Sequence, residues 1–552
     1  MMKKMEMNDK LRGGYYTPPE IADFLVHWSL NGSREKKSVL EPSMGDGAFV
    51  LSVVKELSKR GVSKPEIEKS IYGIELFEQE VKKVKKSLRN EKYNPEKFNL
   101  FSGDFFSAIE GPLKNKKFDL ILGNPPFIRY QNFPSEQSKL AVEILARNGF
   151  HPNKLTNARL FFLLASVFHL KDDGKLAMVI PAELLQVSYA AETRVFLSKF
   201  FHSITIISFK KLVFQGIQQE VVLLLCDRNK SERKGINFVE FSDASELPPL
   251  AKIKSPSSFK SIDHDNDKWT QYLLTKKEIF LLRRLKNDKR ILKLSDLAEV
   301  DVGIVTGNNN FFVVNAEIVN KYKLRPYVIP LVGRSAQFNA SLYFTKKNWE
   351  KISKSNGLCF LFSYDQKTKK AIPSGVKKYL KLGMQNSVPN GYKCKVRKIW
   401  HYVPSVWIPD AFLFRQIHTS PRMIMNQAKA VPTDTIHRVR FKKDINKEKL
   451  LASFYNSLTF AFSEVFGRSY GGGVLELEPS EAERLLVPYL SKNNIDPKKV
   501  ETILNSKGLE TSLDYVDSIL LAHGLGLSRN DVDTLRKIWK KLSKRRLERK
   551  KA

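Results

Sequence analysis

The chain has 552 residues, so we expect two large or three smaller domains. Its 93 Lys and Arg against 58 Asp and Glu give a formal net charge of +35, which predicts a polyanionic partner. A lysine-rich solvated surface is the alternative explanation of the charge. The three cysteines are widely spaced, which argues against a disulfide framework or a zinc site, and no signal peptide or membrane-spanning apolar run occurs, so we expect no metal and a cytoplasmic protein.

The first part of the chain, about residues 13–228, alternates short apolar runs with helical patterns. Candidate strands are the runs 38–41, 71–75, 98–101, 119–123, 175–180, 204–208 and 220–225. Candidate helices lie between them, for example at 21–30, 49–60 and 159–170. This alternation predicts an α/β fold, a doubly wound Rossmann-like sheet in which most strands are parallel.

The rest of the chain divides into two parts. Residues 229–269 are polar and irregular and are predicted to form a linker with some extended structure. Residues 270–552 show no βαβ rhythm, and their short strands, aromatic residues and basic residues predict a mixed α+β domain with a basic helical tail. The predicted domains are therefore 1–228 and 270–552.

A glycine loop follows the first candidate strand. The sequence 39–50 predicts a strand, a turn that contains Gly45 and Gly47, and a helix. Glycines there let the backbone take positive φ and approach a ligand closely, beside a helix amino terminus that favours polar or anionic groups. Two glycines alone are weak evidence, and a plain tight turn is the alternative.

Acidic residues follow the next two candidate strands. Glu75 ends the second, where a carboxylate can accept hydrogen bonds from both hydroxyls of a ribose; a surface acid is the alternative. Asp104 follows the third and suits the amino group of an adenine, with Phe105 packing against the ring; a helix N-cap is the alternative. The glycine loop and the two acids together favour a nucleoside cofactor.

Asn124, Pro125, Pro126 and Phe127 come directly after the buried run 118–123. Two prolines hold the chain extended at the carboxyl end of a strand, where open α/β sheets bind ligands. The Asn124 side chain and the Pro125 backbone offer two carbonyl acceptors suited to one exocyclic amino group, and Phe127 offers a flat face for a base. An ordinary strand-to-loop turn is the alternative.

In the order of these motifs, roughly the first 225 residues resemble the gamma class of DNA adenine-N6 methyltransferases, the Taq-type enzymes of restriction-modification systems. The stretch 14–25 is similar to the amino-terminal cofactor motif of that class. The resemblance implies S-adenosylmethionine as the cofactor, bound by Tyr16, Thr17, Pro18, Glu41, Pro42, Gly45, Gly47, Glu75, Asp104 and Phe105. It implies that the catalytic residues are Asn124, Pro125, Pro126 and Phe127.

The resemblance also implies the reaction. A methyl group passes to N6 of an adenine that is flipped out of duplex DNA and stacked on Phe127. The stretch 213–216 is similar to the motif that supplies a second stacking residue, here Phe214, with core packing as the alternative. The tetrapeptide of the class more often ends in Tyr; Phe127 keeps the aromatic face and lacks the hydroxyl.

Four stretches of the second region carry weaker signals. Residues 300–312 and 468–477 resemble an early and a late segment of the target-recognition domains of these enzymes, and the missing Lys-Ser/Thr excludes a P-loop. Residues 392–402 interleave basic and aromatic side chains, as a DNA-facing strand would; an exposed face over a core strand is the alternative. Residues 536–551 hold ten Lys and Arg and one acid, and form either a phosphate-contacting arm or a solvated helix end.

Three functions remain open. The first is a site-specific DNA adenine-N6 methyltransferase, either the modification enzyme of a restriction-modification system or a solitary enzyme. The second is a methyltransferase of another acceptor, chiefly RNA adenine; the large basic second region argues against protein glutamine. The third is a DNA-binding subunit that needs a partner.

The leading function carries expectations about partners and place. We expect duplex DNA as the partner, a monomer, a cognate endonuclease that need not contact the chain, no membrane, and a position at the nucleoid of a prokaryote. A fused nuclease is not expected, because the region beyond the catalytic motifs has about the size of a recognition domain.

Overall fold

The computed structural model describes most of the chain in two compact units. The described residues are 16–31, 37–126, 135–151, 158–211, 213, 220–230, 234–247, 259–264, 268–365, 371–469, 473–490 and 493–548. The amino-terminal unit runs to Lys276 and the carboxy-terminal unit begins at Lys277. The sequence pattern placed the end of the first domain at residue 228 and the start of the second at residue 270.

An eight-stranded sheet forms the centre of the amino-terminal unit. Its strands are β1 (Val39–Glu41), β2 (Ile71–Glu75), β3 (Asn99–Ser102), β4 (Phe118–Gly123), β5 (Leu170–Pro181), β6 (Ser203–Phe209), β7 (Val221–Asp227) and β8 (Gly235–Phe241). Their order is β3-β2-β1-β4-β5-β7-β6-β8, and β7 alone runs antiparallel to its neighbours. The order reverses between β1 and β4, and such a switch point leaves a ligand crevice at the strand carboxyl ends.

Helices pack against this sheet. The α-helices are α1 (Pro19–Leu30), α2 (Ala48–Lys59), α3 (Lys64–Ser70), α4 (Glu78–Asn90), α5 (Phe105–Glu110), α6 (Ser135–Arg147), α7 (Ala158–Val167) and α8 (Ala191–Phe200). Short 3₁₀ helices occupy Pro95–Lys97, Ala182–Leu185, Ser188–Ala190, Ala244–Glu246 and Trp269–Leu273. The first two α-helices join the sheet in one core, through side chains such as Leu25, Val53 and Leu122.

Local sequence explains where several elements begin. Pro19 opens α1, a position where the missing N–H of proline costs nothing. At the start of α3, the Ser63 N–H and hydroxyl both donate to Glu66 Oε2, at 3.2 and 2.6 Å. Strands β6 and β7 are buried at every residue, which is why the sequence shows them as continuous apolar runs.

Part of the stretch 229–269, which was predicted to be a linker with some extended structure, belongs to the sheet. Gly235–Phe241 forms β8, parallel to β6, and Ile236 makes an isolated antiparallel bridge with Lys260. Gly235 has a φ of +133°, and a Cβ there would lie 2.4 Å from the Lys260 carbonyl oxygen. The polar residues that indicated a linker therefore flank an edge strand that belongs to the sheet.

The carboxy-terminal unit contains many short strands. They are β9 (Leu292–Lys293), β10 (Ala298–Asp301), β11 (Val313–Val314), β12 (Val328–Val332), β13 (Tyr343–Phe344), β14 (Phe360–Phe362), β15 (Ala411–Phe414), β16 (Gln416–Ile417), β17 (Met423–Asn426), β18 (Val431–Pro432), β19 (Ile436–Phe441), β20 (Arg468–Ser469), β21 (Leu475–Glu476) and β22 (Leu486–Val487). Four sheets result, in the orders β10-β19-β15-β17-β13, β11-β14-β12-β18, β16-β21-β20 and β22-β9.

Helices complete this unit. The α-helices are α9 (Lys276–Lys286), α10 (Leu294–Leu297), α11 (Asn309–Phe312), α12 (Ala316–Lys321), α13 (Lys346–Lys354), α14 (Ser374–Gln385), α15 (Tyr392–Lys395), α16 (Lys447–Phe454), α17 (Ser457–Phe466), α18 (Pro479–Ala482), α19 (Pro497–Asp517) and α20 (Arg529–Glu548). A π-helix spans Ser518–Gly524, and 3₁₀ helices span Arg325–Tyr327, Ser335–Gln337 and Val388–Asn390. The predicted mixed α+β character is confirmed.

The hypothesis of a DNA-facing strand at 392–402 is wrong as to the strand. Tyr392–Lys395 is one helical turn, and turns follow it. Trp400 packs inward, with its ring 5.4 Å from that of Phe311. The alternation of basic and aromatic residues therefore reflects a short helix with one buried side, and pairing in a sheet has no part in it.

The basic tail is largely the helix α20, which packs on α17. Arg546 is 2% exposed and forms an ion pair with Glu464 at 2.8 Å. Arg536 pairs with Asp517 at 2.7 Å. These two cations stabilise the unit and are not available as phosphate contacts, whereas the side chain of Lys544 is exposed. Residues 549–551 of the predicted arm lie outside the described residues.

In the part of the chain that the structure describes, no helix has the length and apolar character needed to cross a membrane. The same part holds no group of three or more His, Cys, Asp or Glu arranged to bind a metal ion.

Candidate active site

Three strand ends lie side by side at the switch point of the sheet. Because β1 pairs with both β2 and β4, Glu41, Glu75 and Asn124 stand at or just beyond the ends of neighbouring strands. A Cβ on Gly123 would lie 3.4 Å from the Pro42 ring, so the loop after β1 runs against the end of β4. The fold thus brings the glycine loop, the Glu75 carboxylate and the start of the tetrapeptide together.

The turn after β1 requires glycine at two positions. Gly45 and Gly47 have φ values of +52° and +87°, in the left-handed region that disfavours side chains. A Cβ on Gly47 would lie 2.8 Å from a methyl group of Val84. Gly47 is the N-cap of α2, so the turn places the amino terminus of that helix at the crevice.

Backbone amides fix the Glu75 carboxylate. The Gly45 N–H donates to Oε2 at 2.9 Å and the Phe77 N–H donates to Oε1 at 3.0 Å. Each oxygen has a further lone pair with which to accept from a ligand hydroxyl. Burial raises the pKa of Glu75 and outweighs the opposing effect of these amides.

Two more acids lie in the glycine loop. Glu41 is 3% exposed, and its Oε2 accepts from the Val50 N–H at 3.1 Å, which ties β1 to the first turn of α2. Burial, followed by the negative charge of Asp46, holds the pKa of Glu41 well above its usual range. Burial also raises the pKa of Asp46. Burial thus disfavours the ionised forms of these acids, and a positively charged ligand bound beside them would favour those forms.

Thr17 and Asn124 meet at the end of β4, although 107 positions separate them in the sequence. Asn124 Nδ2 donates to Thr17 Oγ1 at 3.2 Å, and Thr17 is 7% exposed. Because this contact holds the amide nitrogen, the acceptor Oδ1 is directed away from Thr17. Ser43 Oγ donates to the Asn124 backbone carbonyl at 3.4 Å, Pro125 is buried and Pro126 is half-buried.

Tyr16 lies at the exposed rim of the glycine loop. A Cβ on Gly45 would stand 4.0 Å from Tyr16 Cδ1, and the Tyr16 hydroxyl donates to Glu80 Oε1 at 3.4 Å. Lys83 Nζ is 5.9 Å from the centre of the Tyr16 ring. Pro18 is the N-cap of α1. Tyr16 therefore lies beside the glycine loop, and the binding of a cofactor by Tyr16, Thr17 and Pro18 stays a prediction.

Asp104 acts as a helix N-cap, the structural alternative noted for it. The Ser107 backbone N–H and hydroxyl both donate to Asp104 Oδ2, at 2.8 and 3.0 Å. Phe105 is 3% exposed, and its ring stacks on Phe162 with centroids 5.1 Å apart. Binding of an adenine by this pair stays a prediction.

Several residues of the motifs lie outside the described residues. They are Phe127 of the tetrapeptide, Phe214, and Gly14 and Tyr15 of the first motif. The stacking roles of Phe127 and Phe214 therefore stay predictions.

Sequence reasoning missed three participants. Ser43 and Phe77 act on Asn124 and Glu75 through the hydrogen bonds given above, and Lys83 Nζ pairs with Glu80 Oε1 at 2.7 Å beside Tyr16. The contact of Phe77 with Glu75 is made by the backbone N–H, so no side-chain signal could have identified it. Ser43 stands in the glycine loop, and its position there was the available signal.

Two family models and several curated proteins match the chain. Residues 1–301 match the family model described as N-6 DNA Methylase, and residues 266–521 match that of the Type II methyltransferase M.Eco57I, C-terminal domain. The Type II methyltransferase M.AccI of Acinetobacter calcoaceticus is 25% identical over 520 residues, which cover 89% of this chain and 87% of that protein. M.HindII of Haemophilus influenzae is 23% identical over 322 residues, 55% of each protein.

A solved structure shares the fold. The Type IIL restriction-modification enzyme MmeI, in complex with DNA, superimposes with a TM-score of 0.60 at 12% identity, over 96% of this chain and 75% of that one. The predicted fold class is thereby confirmed. Since the N-6 DNA Methylase model spans more than half of the chain and contains every motif of the crevice, the chain belongs to the N-6 DNA Methylase family and is a DNA methyltransferase.

Proposed function

We propose that the protein is a site-specific DNA adenine-N6 methyltransferase, either the modification enzyme of a restriction-modification system or a solitary enzyme. The observation that carries the proposal is the Asn124–Thr17 hydrogen bond at the end of β4, next to a glycine turn and the fixed Glu75 carboxylate. An oriented amide acceptor beside a nucleoside-binding crevice suits methyl transfer to an exocyclic amino group.

The proposed methyl donor is S-adenosylmethionine. Glu75 would accept from the ribose hydroxyls, Asp104 and Phe105 would contact the adenine, and Tyr16, Thr17, Pro18 and the 41–47 loop would enclose the remainder. When bound, the donor supplies a methyl group on a positively charged sulfur that is electrophilic enough to need no covalent enzyme intermediate.

The acids of the crevice fit a cationic cofactor. Burial raises the pKa of Glu41, Asp46 and Glu75, and the charge of Asp46 adds to the rise at Glu41, so their ionised forms are destabilised in the protein alone. A ligand that carries positive charge and hydroxyl donors offsets this cost. The carboxyl groups of the crevice therefore match the positive charge and the hydroxyl groups of the cofactor.

Asn124 and Pro125 would activate the acceptor nitrogen. A purine amino group is a poor nucleophile because its lone pair is delocalised into the ring. Hydrogen bonds from both amino hydrogens, to Asn124 Oδ1 and to the Pro125 carbonyl, favour a pyramidal nitrogen whose lone pair is available. Thr17 holds the Asn124 amide in the required orientation, and the released proton passes to water.

The target adenine has to leave the duplex. Flipping a base out of the stack costs roughly a few kcal/mol. Stacking on Phe127 and Phe214 would return about 1–3 kcal/mol for each base–aromatic contact. In this proposal the enzyme works as a monomer on the DNA of a prokaryotic cytoplasm, and a cognate endonuclease acts on the same site without necessarily touching it.

Methyl transfer to three acceptors in parallel tests the proposal. Wild-type protein and Asn124→Ala are incubated with tritiated S-adenosylmethionine and duplex DNA, RNA or protein, and the labelled base is identified after digestion. We expect wild type to produce N6-methyladenine in DNA. Label mainly in RNA would favour the second function, and transfer only after a cell extract is added would favour a subunit that needs a partner.

A further inference from the structure

One segment of the carboxy-terminal unit has an unusual charge distribution. From residue 366 to residue 409 the sequence holds ten Lys and Arg and no Asp or Glu. Three of these cations, Lys393, Lys395 and Lys398, are exposed on and just after α15. Local net charge of one sign over so long a stretch favours a polyanionic ligand.

The same short helix presents apolar side chains to solvent. Tyr392 and Val396 are 76% and 65% exposed. The Val396 N–H donates to the Tyr392 carbonyl at 3.3 Å, so the two residues are one helical turn apart and share a face. Cys394, halfway between them, is fully buried and fixes the opposite face against the unit.

The helix is held rigidly by the loop that precedes α11. Gly307 has a φ of +85°, and a Cβ there would lie 2.8 Å from the Cβ of Lys393. Arg397 Nη2 donates to the Val305 carbonyl at 3.0 Å, and the loop itself is closed by a 2.6 Å hydrogen bond from Thr306 Oγ1 to Asn309 Oδ1. Residues 305–307 and 393–397, which belong to two separate stretches of the sequence, thus pack together.

This loop has little freedom to move. A Cβ on Gly303 would lie 1.9 Å from the Thr433 carbonyl oxygen, and Ile304 bridges to Thr433 in parallel. The exposed Tyr392 ring therefore stands on a preformed support, which lowers the entropy cost of binding.

We propose that Tyr392, Lys393, Lys395, Val396 and Lys398, here called the Tyr392 surface, bind duplex DNA. The three lysines contact backbone phosphates, and Tyr392 and Val396 pack against the bases or sugars between them. The inference rests on the proposed function and deepens it, since it assigns part of the DNA contact to named residues.

The lysines favour DNA over a protein as the ligand of this surface. Cores of protein–protein interfaces are depleted of lysine, and three exposed lysines in a stretch of sequence without Asp or Glu would bring uncompensated charge into such an interface. Phosphates compensate them, and apolar or aromatic side chains beside them can stack on or wedge against bases.

The first experiment measures the salt dependence of binding. Affinity for a short duplex that contains the methylated site is determined over a range of KCl concentrations for wild type and for the Lys393→Gln, Lys395→Gln, Lys398→Gln triple variant. Each lost phosphate contact should reduce the slope of log K against log salt by about 0.9. Lys347, Lys351 and Lys354, exposed on α13, provide a matched triple Gln control that should keep the slope.

The second experiment isolates the aromatic contact. Tyr392→Ala should weaken DNA binding roughly 5- to 100-fold without a change of slope, because stacking involves no counterion release. Tyr392→Phe should restore most of the affinity. Phe280→Ala, which removes another exposed aromatic side chain (69% exposed), serves as the control, and thermal melting confirms that each variant is folded.

The outcomes are distinct. If wild type methylates DNA while the lysine triple and Tyr392→Ala both keep wild-type affinity and slope, the Tyr392 surface is not a DNA contact and the inference is overturned. A change in sedimentation of Tyr392→Ala, with DNA affinity intact, would overturn it in favour of self-association. Absence of methyl transfer by wild type to any DNA would instead reject the proposed function.

Discussion

The two units organise their functional residues in different ways. In the amino-terminal unit one continuous sheet lines up the ends of β1, β2 and β4, so that the positions of Glu41, Glu75 and Asn124 follow from strand order. In the carboxy-terminal unit, the fourteen described strands have two to six residues and are spread over four sheets. The Tyr392 surface there depends on a loop and a helix that meet only through tertiary packing.

The difference indicates which effects substitutions should have. In the first unit, substitutions at the carboxyl ends of the strands should cause a local loss of ligand binding or of catalysis. In the second unit, close backbone contacts hold the loop beside α15, and buried ion pairs such as Arg546–Glu464 hold α20, so substitutions at these buried contacts should act first on stability. Variants in both units test this contrast, from the largest expected change in free energy to the smallest.

Arg546→Ala should cause the largest loss. It leaves the buried Glu464 carboxylate without its ion pair and removes a hydrogen bond to the Gly473 carbonyl at 2.7 Å. Breaking a buried pair costs about 3–5 kcal/mol of unfolding free energy. We expect a large decrease in the melting temperature of the carboxy-terminal unit and loss of DNA affinity, while S-adenosylmethionine still binds.

Lys544→Ala is the control, because its ion pair with Glu548 on the same helix is exposed and should contribute little. A melting curve of Arg546→Ala identical to that of wild type would contradict the structural role of the tail. Loss of cofactor binding together with DNA binding would contradict the separation of tasks between the units.

Asn124→Ala should abolish most methyl transfer. By analogy with the loss of one preorganised polar contact to a transition state, the turnover rate should fall roughly 100- to 1,000-fold, about 2.7–4 kcal/mol. Cofactor affinity, measured by calorimetry, should persist. A rate within a few-fold of wild type would contradict the assignment of the tetrapeptide.

Thr17 offers a finer test of the same site. Thr17→Val removes the hydroxyl that accepts from Asn124 Nδ2 and should lower the turnover rate by less than Asn124→Ala does. Thr17→Ser keeps that hydroxyl and should stay close to wild type. Equal rates for the valine and serine variants would show that the contact does not orient the amide.

Glu75→Ala should weaken the binding of the cofactor. The ribose hydroxyls would lose a charged acceptor, a change of roughly 1–3 kcal/mol for a hydrogen bond to an ionised group. Calorimetry should show the weaker binding with protein that is still folded. Unchanged affinity would remove Glu75 from the cofactor site.

The affinity for the cofactor should also depend on pH through Glu75. Burial raises the pKa of this carboxyl group, and only the ionised form can accept from both ribose hydroxyls. Affinity should therefore be full above the raised pKa and fall as the pH is lowered through it, by at most about 1.4 kcal/mol per pH unit. Glu75→Gln should lose this component of the pH dependence; an identical profile in wild type and variant would assign it to another acid.

Much of the first unit could be predicted from sequence because its strands are buried on both faces. The runs 71–75 and 119–123 were read as strands and appear as Ile71–Glu75 and Phe118–Gly123. The edge strand β8 was taken for a linker, since it lies between polar residues and has, beside β6, only the single bridge from Ile236 to Lys260 among the described residues. The positions of Glu75 and Asn124 at strand ends followed from the same pattern, whereas the contact with Thr17 could not be read from spacing.

Less of the second unit could be predicted from the sequence, because its elements depend on contacts with residues far away in the chain. Alternating basic and aromatic residues at 392–402 indicated a strand, and the structure has a helical turn there, with Cys394 buried on its inner side. The Arg residues of the tail look like a solvated helix end until Glu464, 82 positions earlier, is seen beside Arg546. No local pattern encodes such a partner.

The buried Arg546–Glu464 ion pair affects the order in which the nascent chain folds. The ribosome makes α20 after all other described elements, so the carboxy-terminal unit lacks this helix and its ion pairs throughout most of synthesis. The sheet of the amino-terminal unit has all its strands much earlier, once Phe241 has emerged. The nascent chain should therefore complete the sheet that carries Glu75 and positions Asn124 before the carboxy-terminal unit gains the helix that stabilises it.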